Sequence, residues 1–448
     1  MTQADTAPAA DVQETVLATC APGRSRAVLI EGAPGLGKTT LLGRVAQQAG
    51  AAGAVVLTAA GSERLDPLGM VRQLVAGHPE LARSGLLDGD PRRPADTAAA
   101  FCAALRGLAR RVPVVLCVDD VQYADPQSLL CLRHVVRYAH PAPVVVAVTT
   151  VTHSSRWQEL FTPDALRCPH VNRVRLALLG PGETERAVAA GTDSARAAHC
   201  ARTQAHAQAH AHAAARLHRL SGGNPLLLHA LLAENALTRQ PAPNGPFAQA
   251  VADCLRRGGP AALTTAHVLA VLGERPVDPT VLAELVDGGA PQALDGLSAL
   301  RACGLLDGLA RRDPAVRAAA LADCPPATRA RLRLRAAHAL HAAGAPATAV
   351  AAPLLALRAD GARPPAHSAD RYLLARTARE LAQAGRVLRR QGRTARADTM
   401  MRAARQLSLQ AGDITPHDEM RPVPAVGRSA AMPRKDGRGS TAAAASVA

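Results

Sequence analysis

A glycine-rich segment followed by Lys38 and Thr39 carries the clearest chemical signal in this sequence. The segment reads GAPGLGKT over 32–39 and follows the short apolar run RAVLI at 26–30. This is the P-loop pattern, in which the amides of a glycine-rich loop surround phosphates, the lysine reaches the β and γ phosphates, and the hydroxyl holds Mg²⁺. We therefore predict ATP and Mg²⁺ as ligands and include Lys38 among the catalytic residues. The residues predicted to bind the nucleotide here are Gly32, Gly35, Gly37, Lys38, Thr39 and Thr40.

Asp119 and Asp120 form a second candidate site, because they directly follow the apolar run PVVLCV at 113–118. An apolar strand that ends in acidic residues is the Walker B pattern that accompanies a P-loop. We predict that Asp119 binds Mg²⁺ together with Thr39, and that Asp120 orients or deprotonates the attacking water as a catalytic residue. The alternative is an acidic residue that caps a helix, and the upstream P-loop favours the metal and base roles.

Apolar runs alternate with helical patterns over residues 25–180, which predicts an α/β fold with a parallel, doubly wound sheet. Lys38 and Asp119 lie 81 positions apart, which leaves room for a further strand and helices. This spacing suits the P-loop class in which another strand separates the two motifs. Thr149 and Thr150 end the fourth run, where a hydroxyl could contact the γ phosphate, although paired threonines are also ordinary strand sequence. The predicted strands are 26–30, 54–58, 113–118, 143–151 and 174–178.

Four segments together resemble the ATPase module of the large LuxR-type bacterial transcriptional regulators. They are GAPGLGKTTLL, VVLCVDDVQYADPQSL, VVVAVTT and RLSGGNPLLLHALL, the last at 219–232. That module belongs to the signal-transduction ATPases with numerous domains, abbreviated STAND. The resemblance implies that 222–225 lie in a helical lid, where Pro225 packs against the nucleotide base. From the residues alone, Gly-Gly-Asn-Pro is also an ordinary turn between two helices.

The resemblance also implies a division of the chain: a P-loop core, a helical lid, a winged-helix-like domain and an all-α, repeat-like region. The winged-helix domain would clamp the nucleotide, and the family commonly carries a histidine where this sequence has Asp313. An aspartate there would repel phosphates. The predicted segments are a tail at 1–22, the core at 23–180, the lid at 181–245, the winged helix at 246–325, the helical region at 326–410 and a disordered tail at 411–448.

Parts of the family pattern are absent. The usual Gly-Arg pair near the start of the module has no counterpart in DVQETVLATCAPG at 11–23, and the nearest arginine after Thr150 is Arg156. The regulators end in a helix-turn-helix, whereas 411–448 lacks its periodicity and caps. We therefore expect DNA as a partner only if an output domain is supplied.

The composition excludes several classes of protein. Among the 448 residues, 48% are apolar and 20% charged, and no apolar run approaches the roughly 18 residues that span a membrane. The N-terminus lacks a signal-peptide pattern, so we expect a cytoplasmic protein without a membrane partner. Nine cysteines without a CxxC pair argue against a disulfide framework or zinc ribbon, and we expect reduced, buried thiols. Aromatic residues, at 2%, are too few for base-stacking modules.

The formal net charge of +16 would suit an anionic partner such as nucleic acid. Nearly all of it comes from arginine, since only Lys38 and Lys435 are lysines. A GC-rich genome gives the same bias without nucleic-acid binding, and arginines on the C-terminal helices are typical of solvated faces.

A histidine-rich stretch gives a separate hypothesis of a metal site. His206 and His210 would share a helix face and could bind Zn²⁺ or Ni²⁺, with His199, Cys200 and His212 nearby. The alternative is an alanine-rich insertion in the lid with exposed, neutral histidines.

Together these features predict an ATP-binding regulatory protein with slow, Mg²⁺-dependent hydrolysis, either a LuxR-like transcriptional regulator or a fragment of one. ATP or ADP would set the closure of the lid, which exposes a helical surface to a small-molecule inducer or a protein partner, with a nucleotide-dependent oligomer as a further expectation. The alternative is a nucleotide-bound scaffold with little hydrolysis and no direct DNA binding. A third hypothesis, a DNA-binding activator, predicts a salt-dependent shift of a DNA duplex.

Overall fold

The computed structural model describes residues 27–61, 66–86, 93–152, 171–191, 204–237, 239–273, 278–306, 313–357 and 367–412. The chain divides into two compact units: the first comprises Met1–Ala345 with Ala356–Ala362, and the second Pro346–Leu355 with Arg363–Ala448. Within the described residues, no helix combines the length and apolar character needed to cross a membrane.

The first unit begins with a five-stranded sheet in which all neighbouring strands are parallel. The strand order is β2-β3-β4-β1-β5. Strands β1, β3 and β4 are apolar and buried on both faces, because helices cover the sheet on either side. The predicted α/β, doubly wound fold is confirmed. The strands are β1 (Ala27–Glu31), β2 (Val55–Ala60), β3 (Val114–Asp119), β4 (Val144–Thr150) and β5 (Val171–Arg175).

The P-loop follows β1, and the acidic pair lies at the end of β3. As the spacing predicts, another strand lies between these two, and that strand is β4. The run at 54–58 instead gives β2 at the edge of the sheet. The prediction of a strand at 174–178 is wrong in its bounds, since β5 ends at Arg175. Its partner β1 ends opposite it at Glu31, so pairing stops there. The leucines that follow pack against the helical core instead of extending the sheet.

Helices cover the sheet according to the alternation of side chains along each strand. Helix α1 (Lys38–Ala51) places Leu41, Leu42 and Val45 against one face, which includes Val28 and Ile30. The other face is covered by helices that follow β2 and β3. These are α2 (Gly69–Ala76), the short α3 (Pro79–Ala82), α4 (Pro94–Ala109) and α5 (Pro126–Tyr138).

Among the residues that the structure describes, nine more helices of the first unit share one apolar cluster. This cluster also contains Ala33 and Leu36 of the glycine-rich loop, so the loop is packed against the helices as well as against the sheet. The division into lid and winged-helix domains stays a prediction. The helices are α6 (Pro181–Gly191), α7 (Gln204–Ser221), α8 (Pro225–Ala233), α9 (Pro246–Arg257), α10 (Pro260–Leu272), α11 (Pro279–Leu285), α12 (Gly289–Ala302), α13 (Pro314–Asp323) and α14 (Pro326–Ala342).

The second unit is helical in its described residues. Helix α15 (Ala347–Ala356) is followed by α16 (Ser368–Arg390) and α17 (Thr394–Ala411), and the last two pack against each other. Leu374 and Leu381 of α16 and Leu407 of α17 are buried. The predicted helical character of the C-terminal region is confirmed. The tail that we expect to be disordered lies, after Gly412, outside the described residues.

Candidate functional site

The glycine-rich loop joins β1 to α1 at the carboxyl edge of the sheet. Gly35 and Gly37 have φ angles of 83° and 86°, in the left-handed region that favours glycine. A Cβ on Gly35 would lie 2.5 Å from the side-chain oxygen of Asn224, so space also requires glycine there. Gly37 caps the N-terminus of α1, whose first turn has amides without partners in the helix and the positive end of the helix dipole. The loop therefore has the backbone that binding a phosphate requires.

The side chain of Lys38 lies over this loop and is 7% exposed. Its Nζ donates hydrogen bonds to the carbonyl oxygens of Gly32 and Ala33, both at 3.0 Å. Burial lowers the pKa of Lys38, and the nearby Asp120 and Asp119 act in the opposite direction. A buried ammonium with only carbonyl acceptors would be stabilised further by an anionic ligand.

Thr39 and Asp119 meet although they lie 80 positions apart, since the Thr39 hydroxyl donates to Asp119 Oδ2 at 2.8 Å. The other carboxylate oxygen of Asp119 accepts from the hydroxyl of Thr149. Hydroxyl and carboxylate oxygens are the ligands that Mg²⁺ prefers, and two oxygens in direct contact can reach one ion. The residues present therefore fit Mg²⁺, with Thr39 and Asp119 as the groups that would hold it.

Asp120, the residue after Asp119, has a strained backbone with φ 49° and ψ 53°. Its amide donates to Thr149 Oγ1 at 2.8 Å, and its carboxylate accepts from Gln122 Nε2 at 2.9 Å. Gly61, at the end of β2, makes room for this turn, because a Cβ there would lie 2.3 Å from the carbonyl oxygen of Asp120. The aspartate is thus fixed at both its backbone and its side chain.

Asn224 ties the loop to the helices from a fully buried position. Its side-chain oxygen caps α8 by accepting from the amide of Leu226 at 3.0 Å. Its Nδ2 donates to the carbonyl oxygens of Pro34, at 3.0 Å, and of Cys303, at 2.9 Å. The amide of Leu226 also donates to the carbonyl of Gly35 at 3.2 Å. The Gly-Gly-Asn-Pro turn therefore does more than join two helices, because it connects the P-loop with α8 and with the end of α12.

The two glycines of this turn allow close backbone contacts. A Cβ on Gly222 would lie 1.9 Å from the carbonyl oxygen of Gly304, and a Cβ on Gly223 would lie 2.3 Å from that of Leu179. Both glycines also have positive φ angles. Gly222, Gly223 and Gly304 are therefore required by the packing of backbone on backbone.

A cavity of about 430 Å³ opens above the P-loop. Its size lies within the range of about 300–1,000 Å³ that small-molecule sites occupy. It receives residues both from the sheet and from the helices that follow. The lining residues are Pro34, Gly35, Gly37, Lys38, Thr39, Thr40, Asp120, Gln122, Tyr123, Val151, Pro225, Leu226, His229 and Arg257.

Most of the predicted site residues line this cavity, and two lie just behind its wall. Gly32 is buried and its carbonyl accepts from Lys38, while Asp119 contacts the lining residue Thr39. Thr149 and Thr150 are buried, and Thr149 holds both aspartates instead of lining the cavity. The predicted residues that line the cavity are Gly35, Gly37, Lys38, Thr39, Thr40, Asp120 and Pro225.

The sequence analysis does not predict several residues of the site, and only two of them have a signal in the sequence. Gly61 could have been found as a glycine directly after a strand, and Gln122 as part of the Walker B segment. His229 and Arg257 lie on helix surfaces and match no phosphate-binding pattern. Asp313 caps α13 by accepting from the amide of Ala315 at 2.9 Å, and the prediction that it would repel phosphates stays a prediction. Arg156 lies outside the described residues.

The histidine-rich stretch stays a hypothesis. His199 and Cys200 lie outside the described residues, and His206 and His210 fall within α7 in a part whose side chains are not described. His212 is exposed. The described part of the chain contains no cluster of three or more His, Cys, Asp or Glu residues that could hold a metal ion.

Comparison with known proteins agrees with this geometry. Residues 12–148 match the family model of the AAA ATPase domain, a span that contains both motifs. The fold is that of a P-loop ATPase. None of the curated proteins matches the chain significantly.

Solved structures resemble this ATPase module and its helices at low identity. A STAND protein with a tetratricopeptide repeat sensor from Pyrococcus horikoshii is 15% identical, with 88% of this chain and 57% of that one covered and a TM-score of 0.35. The chain thus spans little more than half the length of that protein. A Walker-type ATPase of Pyrococcus abyssi is 12% identical, with 70% of this chain and 95% of that one covered and a TM-score of 0.44. The ORC2 protein of Aeropyrum pernix is 15% identical, with 70% of this chain and 92% of that one covered and a TM-score of 0.39.

Proposed function

We propose that this chain is an ATP-binding, STAND-type regulatory protein that hydrolyses ATP slowly and changes conformation with its nucleotide. The observation that carries the proposal is the composition of the cavity. Lys38 and Thr39 of the P-loop, Asp120 after β3 and Pro225 of α8 all line the same space. A ligand that fills it contacts the sheet and the helices at once, and its phosphates can therefore control how the two parts close.

Each side chain has a role in this proposal. Lys38 neutralises the β and γ phosphates, and Thr39 and Asp119 hold Mg²⁺, which supplies charge stabilisation when bound. Asp120 orients the attacking water and accepts its proton, while Gln122 and Thr149 keep that aspartate in place. Pro225 packs against the base. The proposal includes a cytoplasmic location and, by the resemblance of its motifs to LuxR-type regulators, a role in transcription with an inducer or partner protein on the helical region.

Binding of ATP is the decisive test. In calorimetry of nucleotide-stripped protein, we expect saturable heat with ATP and Mg²⁺, and no detectable heat for Lys38→Ala, because the variant loses the cation at the phosphates. The melting temperature without nucleotide should show that the variant folds. Gln47→Ala removes an exposed residue of the same helix and should bind as the wild type does. A wild type without heat, or Lys38→Ala with undiminished affinity, refutes the proposal.

One observation favours the alternative of a nucleotide-bound scaffold. The hydrogen bond that Gln122 Nε2 donates occupies one oxygen of the Asp120 carboxylate, which restricts how that carboxylate can approach an attacking water. The scaffold predicts that ATP binds and that turnover is absent. Measured phosphate release by the wild-type protein therefore separates the two functions.

A further inference from the structure

Helices α16 and α17 form a hairpin with a strong local excess of positive charge. Residues 367–412 contain ten arginines, no lysine and only three acidic residues, Asp370, Glu380 and Asp398. The whole chain, in comparison, has 52 basic and 36 acidic residues. A genome-wide bias toward arginine acts along the entire chain and therefore does not account for this local imbalance. The charge of the hairpin needs its own explanation.

The packing of the two helices directs this charge outward. Leu374 and Leu381 of α16 and Leu407 of α17 are buried, and the helices pack against each other. Gly385 allows a close approach, since a Cβ there would lie 3.0 Å from Sδ of Met401. Because apolar side chains occupy the shared face, the arginines lie outside it, and nine of the ten are exposed.

The arginines are concentrated where the hairpin turns. Five of them fall within the eleven positions 386–396, which join the last turn of α16 to the first turn of α17, and no acidic residue lies among them. We call residues 386–396 the basic turn. On α16, Arg379, Arg386 and Arg390 follow one another at spacings of seven and four, which places them on one face along about 16 Å of the helix.

Most arginines of the basic turn have no structural role that would explain them. Arg389 does have one, because it pairs with Asp398 of α17. Arg390, Arg393 and Arg396 are exposed and form no ion pair with any residue that the structure describes. Their like charges lie close together along the chain and are stabilised when a polyanion binds beside them. The basic turn is therefore available to an anionic partner.

The residue types of the basic turn favour the phosphate backbone of a nucleic-acid duplex over other anionic partners. A duplex carries one negative charge per about 1.7 Å of its axis, and a guanidinium donates paired hydrogen bonds to phosphate oxygens. Binding of a single strand relies on aromatic side chains, and 386–396 contains none. Membrane and protein surfaces are bound largely through apolar contacts, whereas Val387 is the only exposed large apolar side chain of the basic turn, all of which the structure describes.

We propose that the basic turn binds the phosphate backbone of a nucleic-acid duplex, DNA or RNA, without reading its sequence. This inference goes beyond the proposed function and does not depend on the nucleotide. It also departs from the expectation that DNA binding needs an added output domain, because contacts with phosphates position a protein on a duplex without a helix that reads the bases. Since each phosphate contact releases counterions, the affinity falls steeply as the salt concentration rises.

The test measures the binding of fluorescent duplexes of about 20 base pairs to the full chain by anisotropy, without ATP, at about 50 to 200 mM salt. We expect two unrelated DNA sequences to bind with affinities that agree within about threefold, and the logarithm of the affinity to fall linearly with that of the salt concentration. A variant that combines Arg390→Gln, Arg393→Gln and Arg396→Gln loses three phosphate contacts. The slope of its salt dependence should be smaller by about 2–3, and its affinity at low salt should be about tenfold lower or more.

A control variant removes the same charge from exposed positions of the first unit by combining Arg72→Gln, Arg106→Gln and Arg301→Gln. It should keep the wild-type slope. Equal losses in the two variants would show that only the net charge matters and would overturn the proposal. Both variants should melt as the wild type does, since the replaced side chains are exposed. Should the hairpin variant lose stability, Arg393→Gln alone replaces it, and a slope equal to that of the wild type then overturns the inference.

An RNA duplex and vesicles of phosphatidylserine with phosphatidylcholine complete the test. Binding of either duplex with the expected loss in the hairpin variant supports the proposal, and the duplex that binds more tightly identifies the source of the phosphates. The proposal is wrong if the wild type binds no duplex at about 50 mM salt, if it binds the vesicles and neither duplex, or if it strongly prefers one of the two DNA sequences. None of these outcomes bears on the proposed function, which the calorimetry with ATP tests separately.

Discussion

At the scale of residues, one hydroxyl organises the acidic side of the site. Thr149 donates to the carboxylate of Asp119 and accepts from the amide of Asp120, so a single β4 side chain fixes the candidate metal ligand and the candidate base. The next strand in the sheet thus supplies the support that two adjacent aspartates need. The two carboxylates are held by different partners, since Thr39 also contacts Asp119 and Gln122 contacts Asp120. This difference agrees with separate roles for them.

Replacement of Asp120 by asparagine tests its role as a base. Asp120→Asn keeps the size of the side chain but removes its capacity to accept a proton. We expect turnover, measured as phosphate release, to fall about 100-fold or more, as for loss of a general base, and ATP affinity to change little. Asp295→Asn, at an exposed position of α12, removes the same charge and should have wild-type turnover. Turnover of Asp120→Asn equal to that of the wild type would exclude this role.

At the scale of elements, the turn before α8 is held by backbone contacts that no other residue type permits. Gly222 approaches Gly304 at the end of α12, and Asn224 then bonds to Pro34 in the P-loop. Helix ends from three parts of the first unit meet at this point. Shifts of the turn are therefore expected to reach the P-loop.

Alanine at Gly222 should disrupt this junction, and Gly344 provides a matched control. Both glycines have left-handed φ angles, 58° and 70°, so alanine in either place costs about 1–2 kcal/mol of backbone strain. Only at Gly222 does the new Cβ collide, since Gly344 has nothing within 4 Å. We expect Gly222→Ala to lower the melting temperature much more than Gly344→Ala does, and to weaken ATP binding as well. Equal effects of the two substitutions would contradict the proposed packing.

At the scale of the whole molecule, the apolar core of the helices extends into the P-loop. Ala33 and Leu36 belong to the same cluster as residues of α6–α14. Close-packed protein cores transmit small displacements, so a ligand on the loop is expected to affect the helices of the first unit. The cavity adds a second connection, because Pro225 and Arg257 line it directly.

Hydrogen exchange can measure this connection. We expect Mg-ATP to slow exchange at 32–40 and also at 222–230 and 254–258, because ligand binding stabilises every element that contacts the ligand. Mg-ADP should protect the P-loop to a similar extent. Lys38→Ala should show none of these changes with nucleotide. Protection confined to 32–40 with both nucleotides would contradict a switch that involves the helices.

The sequence by itself determined the fold class and the chemistry of the P-loop. Glycine spacing, the lysine and the threonine are local features, and apolar runs with helical patterns between them specify a parallel sheet. The acidic pair at the end of β3 is also a local feature, because it directly follows an apolar run. These predictions needed only residues that are neighbours along the chain.

Only the tertiary structure decided which distant residues complete the site. Asn224 reaches Pro34 across 190 positions, Thr149 lies between the two aspartates, and Arg257 enters the cavity from a helix without any phosphate-binding motif. The strand order and the early end of β5 were decided in the same way. Such contacts depend on how elements pack, and packing is set by the summed burial of many side chains, which the spacing of residues within one segment does not encode.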